Sequence, residues 1–421
     1  MLYQKILSNG LRVIVIPQQS TQAATVLVLV GTGSKYETKR ISGISHFLEH
    51  MFFKGTLKRP TQLEVAEELD RVGGSFNAFT SAEYTGYYAK VNASHTDLAL
   101  DWVSDILLHS LLPAKEVRKE RGVIVEEINL YYDNPGSRVE EIWPELLYGD
   151  QPAGWNIAGD KETVSRMTRK NLVKYMQSQY TAANTVLCVA GNVDAAKVFA
   201  LAGKLFSSLP STLPAKKATV ADVQAKPEVL LEFRKIDQTH IAFGARGFSL
   251  FHPHREAQDV LAVVLGGMMS SRLFTQVREK HGLAYSISTN SETNTDTGWL
   301  MTTAGIKNEY VEKAIKVIIE EYKRVKRDLI SVAELEKAKE HEIGRHILQM
   351  ESSSAQAEFF GMQELLERKI LTPEELYGKI RKVTAEEIRE LARVLFCPDR
   401  MNLALVGPYK DKEKILKLLN V

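Results

Sequence analysis

The chain has 421 residues, 44% hydrophobic and 25% charged, with a formal net charge of +2. The length exceeds one comfortable core, so two or three domains are expected. The near-neutral charge gives no global argument for nucleic acid or an acidic membrane surface, and no apolar run reaches the ~18 residues of a membrane span.

The N-terminal stretch MLYQKILSNGLRVIVIPQ reads as strand–turn–strand with an Asn9-Gly10 turn. It has no signal-peptide layout, which makes a cytoplasmic location the expectation. Residues 11–17 and 24–34 are rich in β-branched residues and are expected as strands. GTGS at 31–34 lacks the lysine of a phosphate loop.

Next comes ISHFLEHMFFKGT, residues 44–56. His46 and His50 are four apart, so on a helix both imidazoles project from one face and can reach one ion. Glu49 can reach a water bound to that ion. This is the inverted H-x-x-E-H form of the zinc-peptidase helix. Ser42 and Ser45 are expected at the helix start. Residues 59–74 form a second helix, opened by a Thr61/Glu64 capping box and closed by Gly73-Gly74.

A catalytic zinc takes three protein ligands and leaves one position open. The third donor is sought in the helix AKEVRKERGVIVEEINLYYDNPG, residues 114–136. Val117, Ile124, Ile128 and Tyr131 form its apolar stripe. Glu120 and Glu127 are seven apart and run beside that stripe, whereas Glu126 is turned about 100° away. Glu127 is therefore the expected ligand, and Glu120 the group that orients a histidine from behind.

Residues 210–228 are polar, with prolines and lysines, and read as the join between two halves. The boundaries drawn are 1–213, a linker at 214–228, and 229–421. Three segment pairs recur in the same order at an offset of roughly 215 residues: 25–34 with 239–248, 116–130 with 334–348, and the Thr168 helix and its strand with the Thr384 helix and its strand. This implies two homologous α+β domains, each with hairpin-like strands and packed helices. Cys188 and Cys397 are isolated and read as free thiols. His252 and His254 sit in a Pro253 turn. His109, His281, His341 and His346 have no partner at ligand spacing.

HFLEHMFFKGT followed by ERGVIVEE closely resembles the pitrilysin and mitochondrial processing peptidase family of zinc metallopeptidases. The resemblance extends along essentially the whole chain, including GGSFNAFTSAEYTGYY (73–88) and SSRLFTQVREKHGLAYSIS (270–288). It implies two domains of one α+β fold, each a mostly antiparallel sheet with helices packed on it. It implies one Zn2+ per chain, on the first domain. It further implies that Asn77, Ala78, Phe79 and Thr80 lie on a substrate-binding strand, and that Arg278 and Tyr285 serve substrate binding and catalysis from the second domain. A two-domain chain carrying both parts resembles the homodimeric branch, in which Arg278 and Tyr285 act in the partner's site. The expected activity is endopeptidase cleavage of unfolded or extended peptides in a closed dimer chamber, for degradation or leader processing. The alternative is a non-catalytic scaffold subunit. No nucleic-acid or membrane partner is expected.

Overall fold

The computed structural model describes residues 2–419. Its chain divides into two compact units, each built on one sheet. The first sheet contains β1 (Tyr3–Ile6), β2 (Arg12–Pro17), β3 (Ala23–Val30), β4 (Ser75–Thr80), β5 (Thr85–Asn92) and β6 (Thr185–Gly191), in the order β1-β2-β6-β3-β5-β4. The second contains β7 (Glu228–Phe233), β8 (Gln238–Arg246), β9 (Ala284–Thr293), β10 (Gly298–Lys307) and β11 (Met401–Gly407), in the order β7-β11-β8-β10-β9. Without β1 the two orders are the same. Each sheet is antiparallel apart from one parallel pair, β2 with β6 and β7 with β11. The repeat seen in the sequence is thus a repeat of topology, and the fold is α+β.

The central strands β3, β6 and β11 are apolar along nearly their whole length rather than alternating, because both faces of their sheets are covered. In the first unit one face packs on α1 (Ile44–Phe52), α2 (Gln62–Asp70), α3 (Thr96–Leu108) and α4 (Ala114–Asp133). The other face buries Leu27, Leu29, Val186 and Cys188 against Ala357, Phe360 and Leu365, which belong to the distant segment 348–371. In the second unit α5 (Pro135–Tyr148) places Val139, Ile142 and Trp143 on Ala242, Ala404 and Val406.

This corrects the contiguous division at 213 and 229. Residues 129–154 belong to the second unit and 348–371 to the first. The reason is that each sheet has a second apolar face, and the helix that covers it comes from the other half of the sequence. Periodicity shows that a helix has an apolar face, not which sheet that face meets. The 214–228 stretch is also no free linker. Lys217 is paired to buried Glu83 in the first unit, Asp222 lies 2.5 Å from Arg246 in the second, and Glu228 already begins β7. No helix among the described residues is long and apolar enough to cross a membrane.

Candidate metal centre

The helix α1 buries Ile44, Phe47, Leu48, Met51 and Phe52, which turns His46, Glu49 and His50 to the opposite side. Neither Ser42 nor Ser45 caps its start. The cap is Gly43 at φ 89°, and the Glu37 carboxylate accepts from the amides of Gly43 (2.7 Å) and Ser45 (2.8 Å). A Cβ on Gly43 would lie 2.4 Å from the Ala158 carbonyl oxygen, so only glycine fits this entry. Burial pushes Glu37 up to about 8, opposed by those same amide bonds. The capping box expected at α2 is present, with Thr61 and Glu64 exchanging bonds of 2.8 and 3.2 Å.

The helix α4 runs alongside. Val117 and Ile124 are buried, and Glu120 is almost fully so. Tyr131, expected in the same stripe, is 44% exposed, so the buried face stops short of it. Glu127 reaches the histidines. Its Oε1 is 3.6 Å from His46 Nε2, its Oε2 is 3.3 Å from His50 Nε2, and the two Nε2 atoms are 3.3 Å apart. These three residues form the one group of metal-type donors that converge among the described residues.

The donor set fits a zinc ion. At zinc–nitrogen and zinc–oxygen distances of about 2.0–2.2 Å, the edges of a tetrahedron are about 3.3–3.6 Å. The His50 Nδ1 faces the Glu120 carboxylate at 3.0 Å and donates to it, which leaves Nε2 as the ring nitrogen turned to the cluster. The hydrogen bonds from His46 and His50 hold the Glu127 carboxyl well below its usual range. Burial lowers the His50 imidazole, but Glu120 and Glu127 outweigh it and bring it up to about 9. Lys54, which sequence reasoning missed, pairs with the other Glu120 oxygen at 2.8 Å. Burial raises Glu120, and the bonds from His50 and Lys54 overcome that and lower it. Lys54 lies beyond the end of α1 at Phe52, so helical spacing gave no signal for it.

Glu49 is not among the three donors. Its Oε2 accepts a 2.6 Å bond from the Thr80 hydroxyl at the end of β4. β4 ends the sheet, so Asn77, Ala78, Phe79 and Thr80 lie on an edge strand paired with β5. The Asn77 Oδ1 accepts from the Ala78 amide, Ala78 is buried, and the Phe79 ring lies over Gly86. Between α1, α2 and β4 opens a cleft of about 370 Å3, whose wall includes Glu49, Phe53, Val65, Ala66, Phe76 and Asn77. The phenylalanines were not singled out in the sequence, because aromatic residues there read equally well as core.

Arg278 and Tyr285 lie in the second unit. The structure brings them to each other. The Arg278 guanidinium sits 5.3 Å over the Tyr285 ring and 4.7 Å over Phe274, and Tyr285 is 79% exposed on β9. The remaining histidines stay outside the cluster. His252 stacks on Phe248 with ring centroids 3.8 Å apart, His254 lies 3.6 Å from Glu387, and His109 lies 3.2 Å from Asp105.

Residues 12–161 match the family model described as Insulinase (Peptidase family M16), and residues 166–341 match the Peptidase M16 inactive domain. The chain is 37% identical over 400 residues to an uncharacterised zinc protease of Bacillus subtilis, covering 95% of this chain and 97% of that one. It is 36% identical over 419 residues to an uncharacterised zinc protease of Mycobacterium leprae, covering 99% and 94%. The crystal structure of a protease from Helicobacter pylori superposes with a TM-score of 0.89 at 26% identity, over 97% of this chain and 99% of that one. A peptidase M16 inactive domain from Pseudomonas fluorescens has the same fold, with a TM-score of 0.89 at 18% identity over 97% and 98%.

Proposed function

The chain belongs to peptidase family M16, the insulinase family, and from that membership we propose that it is a zinc-dependent endopeptidase acting on extended peptides. The observation that carries this reading is the convergence of His46, His50 and Glu127, with Glu49 lining the same cleft as His50. The half that matches an inactive domain is the one without H-x-x-E-H, and the donors lie in the other half. A scaffold role would leave these donors without a use.

Zinc bound by His46, His50 and Glu127 would lower the pKa of a coordinated water and polarise the scissile carbonyl. Glu49 accepts the proton of the attacking water and returns it to the leaving amine. Glu120 holds the His50 tautomer, and Lys54 keeps Glu120 charged in its buried place. The free edge of β4 receives the substrate as an added strand, through main-chain bonds that are blind to side chains, so a broad range of peptides is accepted. The cleft walled by Phe53, Val65, Ala66 and Phe76 takes an apolar substrate side chain next to the cleaved bond.

Purified without chelator, the protein is expected to carry close to one zinc per chain and to cleave unstructured peptides. The activity should disappear with a zinc chelator and return when zinc is added back. Undiminished cleavage in chelator would overturn the proposal.

In the same reading, two chains form a homodimer, and Arg278 and Tyr285 of each complete the site of the other. Arg278 grips substrate carbonyls, and Tyr285 donates to the developing oxyanion. The support is the exposure of Tyr285 together with its pairing to Arg278. Mixing Glu49→Gln subunits with Arg278→Ala subunits tests the sharing. Recovered activity is expected, because a mixed dimer contains one site with both residues intact. Continued inactivity of the mixture would mean that each chain uses its own pair.

A further inference from the structure

We propose that Thr80 is a positioning residue for Glu49: its hydroxyl fixes the orientation of the carboxylate that acts as base, and it ties that carboxylate to the strand that receives the substrate. The inference rests on the reading of Glu49 as the base.

The bond is short and charge-assisted, with Thr80 Oγ1 donating to Glu49 Oε2 at 2.6 Å. A glutamate side chain has three rotatable bonds, and holding it in one geometry costs conformational entropy. A single donor on one oxygen removes much of that freedom and leaves the other, Oε1, to take a proton. Threonine suits the task because it is β-branched and stiff at χ1, so its hydroxyl direction follows from the backbone.

The backbone behind Thr80 is itself anchored. Thr80 pairs with Thr85 across a tight turn, where the Ser81 amide donates to the Tyr84 carbonyl at 2.8 Å. The amides of Ser34 and Lys35 donate to the carbonyls of Ser81 (3.3 Å) and Ala82 (2.9 Å). Gly33 makes this approach possible, since a Cβ there would sit 2.1 Å from the Ser81 oxygen. The side chain of Glu83, in the same turn, is 1% exposed, with Lys35 2.9 Å away and Lys217 also bound to it. Buried charges of this kind are costly to separate once paired, so the turn is a fixed support. The strand that would pair with substrate and the donor that aims the base are therefore one rigid piece. This is a different job from contacting the substrate, which is the role the family resemblance implies for Thr80.

The test compares Thr80→Val, which keeps the shape but removes the donor, with Thr80→Ser, which keeps the donor and removes the methyl. Thr80→Val is expected to lower kcat about 10- to 100-fold, the rate equivalent of losing a hydrogen bond to a charged group. KM, zinc content, zinc affinity and melting temperature should stay close to those of the parent. Thr80→Ser should recover kcat to within a few-fold. Three results would overturn the proposal: unchanged kcat in Thr80→Val, a loss confined to KM, zinc affinity or melting temperature, or no recovery in Thr80→Ser. Glu49→Gln, assayed in parallel, separates the two levels. If it is inactive while Thr80→Val is fully active, only the positioning role fails. If it retains turnover, the assignment of the base fails and the positioning role fails with it.

Discussion

Glu49→Gln is expected to reduce kcat for peptide hydrolysis by about 100- to 10,000-fold, the range typical of losing a positioned general base. Zinc content should be unchanged. The amide has nearly the shape of the carboxylate and can still accept the Thr80 hydroxyl on its oxygen, but it cannot take a proton from water. Glu49 is outside the group that converges on the metal position, so its charge is not needed to hold the ion. The measurement is steady-state hydrolysis of a quenched fluorescent peptide, with metal analysis of the same preparation. Substantial turnover in a zinc-loaded variant would remove Glu49 from the mechanism. Loss of zinc would instead mean that it helps hold the ion.

Glu127→Ala is expected to abolish both activity and tight zinc binding. Glu127 contributes the only charged donor of the three, and it stands 3.6 and 3.3 Å from the two imidazole nitrogens. Without it, only two imidazoles remain, too few for a closed site. Zinc affinity, measured by competition with a chromophoric chelator, should fall further than in Glu120→Gln, where losing the orienting partner of His50 costs about 10- to 100-fold. A second readout is stability. Zinc bound to the folded chain should raise the melting temperature of the parent, and that rise should vanish in Glu127→Ala. Parent-like zinc affinity in Glu127→Ala would show that the third ligand lies elsewhere.

The metal cluster was legible because two simple periodicities describe it. A spacing of four placed His46 and His50 on one helical face, and a spacing of seven placed Glu120 and Glu127 on one line beside Val117 and Ile124. Both depend only on residues per turn, and the structure brings the two imidazoles together, with Glu120 on His50 and Glu127 facing both. The twofold repeat was legible for a similar reason. Strands and capped helices recurring in order leave a trace in the sequence, and the two sheets share one strand order.

Other features left no such trace. Nothing local distinguishes Glu37 from a surface acid, yet it caps the zinc-type helix from six residues upstream through a loop. The resemblance puts Thr80 on the substrate-binding strand, but nothing local joins its hydroxyl to Glu49. Lys217 reads as linker charge until it is found on a buried carboxylate.

By itself, the sequence determined which side chains converge, the helices that carry them and the existence of two related halves, since these depend on neighbours within one or two turns or on repetition. The tertiary structure alone decided which sheet each apolar helix covers, where the units divide, and which hydroxyl and which cation sit on Glu49 and Glu120. Those outcomes depend on contacts between residues tens to hundreds of positions apart, and hydrophobic periodicity is the same whichever partner fills the face.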